Sequence, residues 1–124
     1  MDTLLQEGQT PQSLSPLTLA FVGDGVYELL VREHLVAQGN CPVRKLHSRK
    51  VELVRCQAQA KALESLWPVL SEEERDVALR GRNAHHGATA LEALFGYLYL
   101  AGRGERLREL FAQVIEVLSQ NQAL

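Results

Sequence analysis

Residues 16–38 carry the feature that most constrains the fold, because they form one long helical pattern with a recognisable signal at each end. Ser15 precedes Pro16, the arrangement of an N-cap followed by proline at the first helical position, and Gly39 is suited to end the helix. Leucine and alanine dominate the chain, and neither sustained apolar–polar alternation nor a hairpin signal between β-branched runs occurs. We therefore expect an all-α protein, built as a helical bundle.

Four further helical segments follow from the spacing of apolar residues and from capping signals. Residues 43–66 read as helix, with one break near His47, and a Ser71 capping box opens a helix that continues to about Arg80. Thr89 is expected to begin another helix that runs through Leu100, and a final amphipathic helix covers about 105–119. The RGRNAHHGA segment at 80–88 has two glycines and no apolar period, which predicts a loop rich in hydrogen-bond donors.

The size and composition of the chain indicate one globular unit. The 124 residues, 46% hydrophobic and 23% charged, are expected to form a single domain over 1–124 with its core at about 15–119 and no appended module. No apolar run approaches the roughly 18 residues needed to cross a bilayer, and the polar N-terminus is unlike a signal peptide. We expect a cytoplasmic protein without a membrane partner. Cys41 and Cys56 have no metal-finger or redox spacing, which favours ordinary thiols.

The charge of the chain is segregated, although its formal total is only −2. Between Arg44 and Lys61 there are six basic residues and one acid, whereas residues 1–43 carry five acids and one base. This basic run favours contact with phosphate, and a solvated helix face is the alternative. Arg80, Arg82 and Asn83 add donors that suit phosphate and sugar oxygens, but they could equally complement or cap a helix end.

Two acidic residues lie where helix propensity disfavours the local sequence. Asp24 stands between Gly23 and Gly25 in the middle of the long helix, and Glu92 lies one turn before Gly96 on an otherwise apolar helix. Such exceptions are expected at functional sites, and they also occur where two helices cross closely at a glycine. If the two carboxylates converge, they would suit Mg²⁺, which binds through one or two carboxylates and keeps several waters. Without a surrounding motif the pair is a weak signal.

Two motifs together resemble the catalytic domain of ribonuclease III. The segment LAFVGDGVYELLVREHL at 19–35 resembles the signature helix of that family, and TALEALFGYLYL at 89–100 is similar to its second acidic helix. RGRNA at 80–84, Leu46-His47 and the expected absence of a separate double-stranded-RNA-binding domain make the resemblance closest to the stand-alone bacterial branch, the Mini-ribonuclease III enzymes. The resemblance covers about residues 15–119, and its specificity comes from the conjunction of the motifs.

The resemblance implies a ribonuclease III-like endonuclease that works as a homodimer and hydrolyses double-stranded or structured RNA. By this resemblance Asp24 and Glu92 are catalytic and hold Mg²⁺, which would polarise the phosphodiester and activate water. The substrate would be a ribosomal RNA precursor such as that of 23S RNA, and the help of a ribosomal protein stays open. Backbone and 2′-hydroxyl contacts to the duplex would come from a set of basic and amide side chains. This set comprises Arg49, Lys50, Arg80, Arg82 and Asn83.

The sequence departs from the family pattern in two places. Two further acids of the wider family are replaced here by Ala20 and Thr89, a thinning that the Mini branch shares and that leaves the number of metal ions open. Only Ala84 to Ala88 remain where that branch usually has a longer loop, so either the loop is trimmed or part of a disordered segment is missing from the sequence. A non-catalytic RNA-binding or ribosome-associated protein of the same fold is the alternative, and a purely dimeric interaction module is a third.

Overall fold

The computed structural model describes residues 3–84 and 87–122, and within them the chain forms six α-helices and no strand. The first three helices are α1 (Pro16–Ala37), α2 (Val43–Val54) and α3 (Cys56–Leu66), and the others are α4 (Glu72–Ala84), α5 (Gly87–Leu100) and α6 (Gly104–Gln122). Short 3₁₀ turns lie at Pro11–Ser13 and Trp67–Val69. The predicted all-α class is confirmed. In the part of the chain described, no helix is long and apolar enough to cross a membrane.

The ends of the helices follow the capping signals in the sequence. The Ser15 hydroxyl accepts a hydrogen bond from the Thr18 backbone N–H at 3.1 Å at the start of α1. At the start of α4, Ser71 and Glu74 form the predicted capping box, with reciprocal bonds of 2.8 and 3.1 Å. Helix α5 ends at Leu100, and Gly102, two residues later, has a φ of 73°, in the left-handed region that other residues disfavour.

The predicted break near His47 is wrong, because the helix is interrupted eight residues later, at Arg55. Arg55 is extended, with φ −69° and ψ 158°, so the last carbonyls of α2 have no partner within their own helix. Two side chains from other helices satisfy them: the Tyr27 hydroxyl donates to the Leu53 carbonyl at 2.9 Å, and Gln59 Nε2 donates to the Val54 carbonyl at 2.8 Å. The break therefore depends on tertiary contacts.

The predicted loop over 80–88 is also wrong for its first half, because α4 continues through Ala84 and α5 begins at Gly87. Gly81 lies where α4 packs against α5, and a Cβ there would come within 2.8 Å of the Ala93 Cβ. Close packing, and not turn formation, accounts for this glycine. His85 and His86, which the sequence left without a role, lie outside the described residues.

Helix α5 is the central element of the fold and packs against α1, α3, α4 and α6. Four side chains that repeat at helical spacing on α5 are fully buried: Leu91, Leu94, Phe95 and Leu98. Glu74 is fully buried too, and Arg106 of α6 holds it through two hydrogen bonds of 2.8 and 2.9 Å. This bidentate ion pair ties α6 to the start of α4.

One face of α1 remains uncovered, although the helix is rich in apolar residues. Phe21 is 83% exposed, and Leu17 and Leu29 are 54% and 58% exposed. Leu30, on the other side of the helix, is only 7% exposed. The core of this chain thus uses only part of the apolar surface of α1.

Candidate active site

The site begins with a close crossing of α1 and α5, made possible by one glycine on each helix. A Cβ on Gly23 would lie 1.6 Å from the Glu92 carbonyl oxygen, and one on Gly96 would lie 2.0 Å from the Leu19 carbonyl oxygen. Neither distance is physically possible, so both positions require glycine for the backbones to approach. Gly25 meets no such restriction, because a Cβ there would have no neighbour within 4 Å.

This crossing places the side chains of Asp24 and Glu92 together. Asp24 is exposed, whereas Glu92 is half-buried, and a side-chain hydrogen bond joins them. Burial, together with the hydrogen bond and the negative charge of Asp24, raises the pKa of Glu92 to about 7. A carboxyl group with such a pKa retains a proton near neutrality unless a cation takes its place. The close crossing and the acidic pair, which were alternatives in the sequence, therefore occur together.

Gln59 of α3 is the third side chain at this place, and sequence reasoning missed it. Its side chain is 3% exposed, and its hydrogen bond with Glu92 opposes the rise of the pKa of that carboxyl. Nε2 also bonds the Val54 carbonyl, whereas Oε1 has no hydrogen-bond partner in the structure. A signal was present, because Gln59 shares the spacing of buried Ala62, Leu63 and Leu66 and is the one polar residue in that stripe.

A second charged group lies one helical turn along α1 from Asp24. Glu28 binds Arg32 at 2.8 Å and Lys50 of α2 at 3.2 Å, and the hydrogen bonds to Arg32 and Lys50 lower the pKa of its carboxyl. The Lys50 side chain is only 13% exposed, so Glu28 already engages the ammonium group that the sequence assigned to RNA. Lys50 thus connects α2 to α1 beside the acidic pair.

The other four residues predicted to bind RNA lie on α2 and α4, whereas the acidic pair lies on α1 and α5. Arg49 of α2 is half-buried and donates a hydrogen bond to the side-chain oxygen of Gln38. Arg80 is half-buried, whereas Arg82 and Asn83 are exposed on the last turn of α4. These last three donors are therefore held on a helix, in a more rigid arrangement than the predicted loop would give them.

The oxygen donors at the crossing fit a small hard cation. Within residues 3–84 and 87–122 no group of three or more acidic, histidine or cysteine side chains could hold a metal, so the site offers two carboxylates and the unpartnered amide oxygen of Gln59. Ala20 and Thr89, at the positions of the missing acids, are 7% and 8% exposed. Mg²⁺ commonly uses one or two carboxylates together with water and substrate oxygens, which agrees with this donor set.

The fold and the site define an all-helical domain in which two carboxylates pair where two helices cross at glycines. Comparison with known proteins identifies the family of this domain. Residues 17–103 match the family model of the ribonuclease III domain. The chain is 49% identical to the Mini-ribonuclease 3 of Thermoanaerobacter sp. (strain X514) over 120 positions, covering 84% of each chain. It is 44% identical to that of Symbiobacterium thermophilum over 125 positions, covering 90% of this chain and 96% of the relative.

A solved structure agrees with the family match. The crystal structure of a Fusobacterium nucleatum protein superposes with a TM-score of 0.78 at 27% identity, covering 85% of this chain and 94% of the other. The chain belongs to the ribonuclease III family, and it is an endoribonuclease. The alignment with the Symbiobacterium relative spans 125 positions, although it includes only 90% of the 124 residues of this chain. That relative therefore contains residues that have no counterpart here.

Proposed function

We propose that this endoribonuclease hydrolyses double-stranded or structured RNA with Mg²⁺ held by Asp24 and Glu92. The observation that supports this most directly is the crossing of α1 and α5 at Gly23 and Gly96, which joins two acidic side chains that are 68 residues apart. Structural needs explain the two glycines, but they do not explain why a half-buried carboxyl lies against a second one. A bound cation would remove that electrostatic cost.

The side chains have distinct tasks in this mechanism. Asp24, being exposed, would hold the cation on the side open to solvent and substrate, and the half-buried Glu92 would be its second ligand. Because the pKa of Glu92 is about 7, occupation of the site should release its proton and should weaken as the pH falls. Bound Mg²⁺ supplies activation of water and neutralisation of charge on the phosphodiester oxygens. The chain then needs no nucleophilic side chain of its own.

The chain must also hold the RNA, and its exposed donors suit an A-form duplex. Arg82 and Asn83 on α4 can reach phosphate and sugar oxygens, and Arg80 and Arg49 are half-exposed on their helices. An A-form duplex is recognised mainly through its shape, phosphates and 2′-hydroxyls, which such donors can contact. Lys50 has a positioning role in this proposal, through its ion pair with Glu28.

The proposed substrate and cellular location rest on the family resemblance. We propose that the natural substrate is a structured ribosomal RNA precursor, such as that of 23S RNA, in the cytoplasm. Residues 1–124 would act as one catalytic domain. This domain would contact the duplex through its own basic and amide side chains.

The proposed function is tested by incubating the purified protein with a duplex RNA and with a single strand of the same sequence. Cleavage of the duplex is expected in Mg²⁺ and none in excess chelator, and the single strand should be cut far more slowly. RNA affinity, measured by fluorescence anisotropy, should fall as salt rises because phosphate contacts release counterions. Duplex binding without cleavage in Mg²⁺ would instead support the non-catalytic alternative. An RNA affinity that does not change with salt concentration would support an interaction module.

We further propose that the enzyme is a homodimer that pairs through α1. The exposed apolar side chains Leu17, Phe21 and Leu29 lie on this helix, beside a groove lined by Gly25 and Val26. A contiguous apolar surface of this kind commonly marks an interface. Gly25 has no packing requirement within its own chain, so its small size would serve the approach of the second copy.

Replacing Phe21 by glutamate should convert the dimer to a monomer, because a charge would then lie in the centre of the apolar surface. Size-exclusion chromatography with light scattering measures this directly. Val43, 80% exposed on α2, provides the control, since Val43→Glu adds the same charge at another exposed apolar position. A parent protein that is already monomeric, or equal effects of the two substitutions, would contradict an interface through α1.

A further inference from the structure

The amide of Gln59 contains a hydrogen-bonding conflict that its structural role does not resolve. Nε2 satisfies the Val54 carbonyl at 2.8 Å and thereby caps α2, a task that needs only a donor. The amide cannot be turned over, because its oxygen would then face the carbonyl oxygen of Val54. Oε1 therefore stays on the other side, buried and without a partner, which costs folding free energy.

The place of this oxygen matters because the same side chain contacts Glu92. Oε1 and Nε2 are bonded to the same carbon, so an acceptor without a donor is close to the contact between Gln59 and Glu92. No other buried side-chain polar atom among the described residues lacks a partner. In this part of the fold the positions of the two missing family acids hold Ala20 and Thr89, which bring no carboxylate.

We propose that Gln59 is a positioning residue of the cation site, whose Oε1 accepts a hydrogen bond from a water molecule of the Mg²⁺ bound by Asp24 and Glu92. Mg²⁺ retains several of its waters, and each of them is a strong donor. A neutral amide oxygen would orient such a water without adding a third negative charge to two carboxylates that already repel. This inference rests on the proposed function and adds a residue that neither the sequence motifs nor the acidic pair includes.

The test measures cation binding to the RNA-free protein, so that it does not depend on cleavage. Mn²⁺ serves as the probe, and its affinity is followed by the paramagnetic resonance signal of the free ion. Gln59→Met keeps the length of the side chain and removes both polar ends, and it should weaken Mn²⁺ binding by about 10- to 100-fold, the usual effect of losing a group that orients a metal's ligands. Gln57→Met is the matched control, because Gln57 is exposed on the same helix.

A second variant separates the proposal from a purely structural role. Gln59→Glu loses the donor to Val54 but keeps oxygen acceptors at the site, so it should bind Mn²⁺ at least as tightly as the parent while unfolding at a lower temperature. Weaker binding by Gln59→Glu, or parental binding by a folded Gln59→Met, would overturn the inference. If Gln59→Met does not fold, the affinity of Gln59→Glu decides.

Failure of the wider proposal would look different. If the parent and Asp24→Asn bind Mn²⁺ equally weakly, there is no cation site at the crossing, and the proposed function falls together with the role of Gln59. If the parent binds and Asp24→Asn does not, the site stands, and only the Gln59 variants bear on this inference.

Discussion

Asp24→Asn is expected to lower duplex RNA cleavage in Mg²⁺ by roughly 1000-fold or more while leaving RNA binding intact. The substitution removes one of the two carboxylates at the crossing of α1 and α5, and metal-ion stabilisation of a phosphodiester transition state amounts to several kcal/mol. Asp24 is exposed, so the neutral amide has no packing consequence for the fold. Loss of a negative charge should leave affinity for the RNA backbone unchanged or slightly higher.

The control for this experiment is Asp76→Asn, which removes the same charge at an exposed position of α4. Single-turnover cleavage and fluorescence anisotropy, measured on both variants, separate chemistry from binding. Cleavage by Asp24→Asn at the parental rate would exclude Asp24 from the catalytic site. An equal loss in both variants would mean that overall charge, and not the site, is responsible.

Gly23→Ala is expected to cost more than about 3 kcal/mol of folding stability, although alanine is the better helix former. Its methyl group would lie 1.6 Å from the Glu92 carbonyl oxygen and 2.8 Å from the backbone nitrogen of Gly96. Backbone atoms cannot rotate away as a side chain does, so α1 and α5 would have to separate. Because these helices make the most extensive packing contact of the fold, the loss should extend through the core.

Gly25→Ala, two residues along the same helix, is the matched comparison. Its methyl group would meet nothing within 4 Å of this chain, so the variant should fold with the parental helical content. Far-UV circular dichroism and thermal unfolding of the two proteins measure the difference. A Gly23→Ala protein as stable as the parent would mean that the crossing is looser than the structure shows, and the placement of Asp24 beside Glu92 would lose its basis.

Much of the fold follows from local signals that act within one or two helical turns. Ser15 with Pro16 and Gly39 sets the bounds of α1 to within a residue, because capping is a local hydrogen-bonding property. The buried face of α5 is predictable for a similar reason, since Leu91, Leu94 and Leu98 repeat at helical spacing. The sequence also indicates which carboxylates are unusual, because glycines next to Asp24 and near Glu92 have no place in an ordinary helix.

Local signals fail where distant groups decide the structure. The break in the basic segment lies at Arg55 because Tyr27 and Gln59, from two other helices, satisfy the carbonyls it exposes. Residues 80–84 stay helical because Gly81 lets α4 approach α5, a contact that no window of neighbouring residues contains. The sequence predicts that Lys50 is available to bind RNA, whereas in the structure its ammonium group forms an ion pair with Glu28.

The sequence by itself determined the helical class, the helix ends with strong caps, the family and the two candidate carboxylates. Only the tertiary structure decided that Asp24 and Glu92 share a hydrogen bond, and that the buried amide of Gln59 lies beside them. The physical reason is that caps and apolar spacing act between near neighbours, whereas these contacts arise from three helices that pack at one glycine crossing. Their energetics depend on burial, which no local pattern of residues specifies.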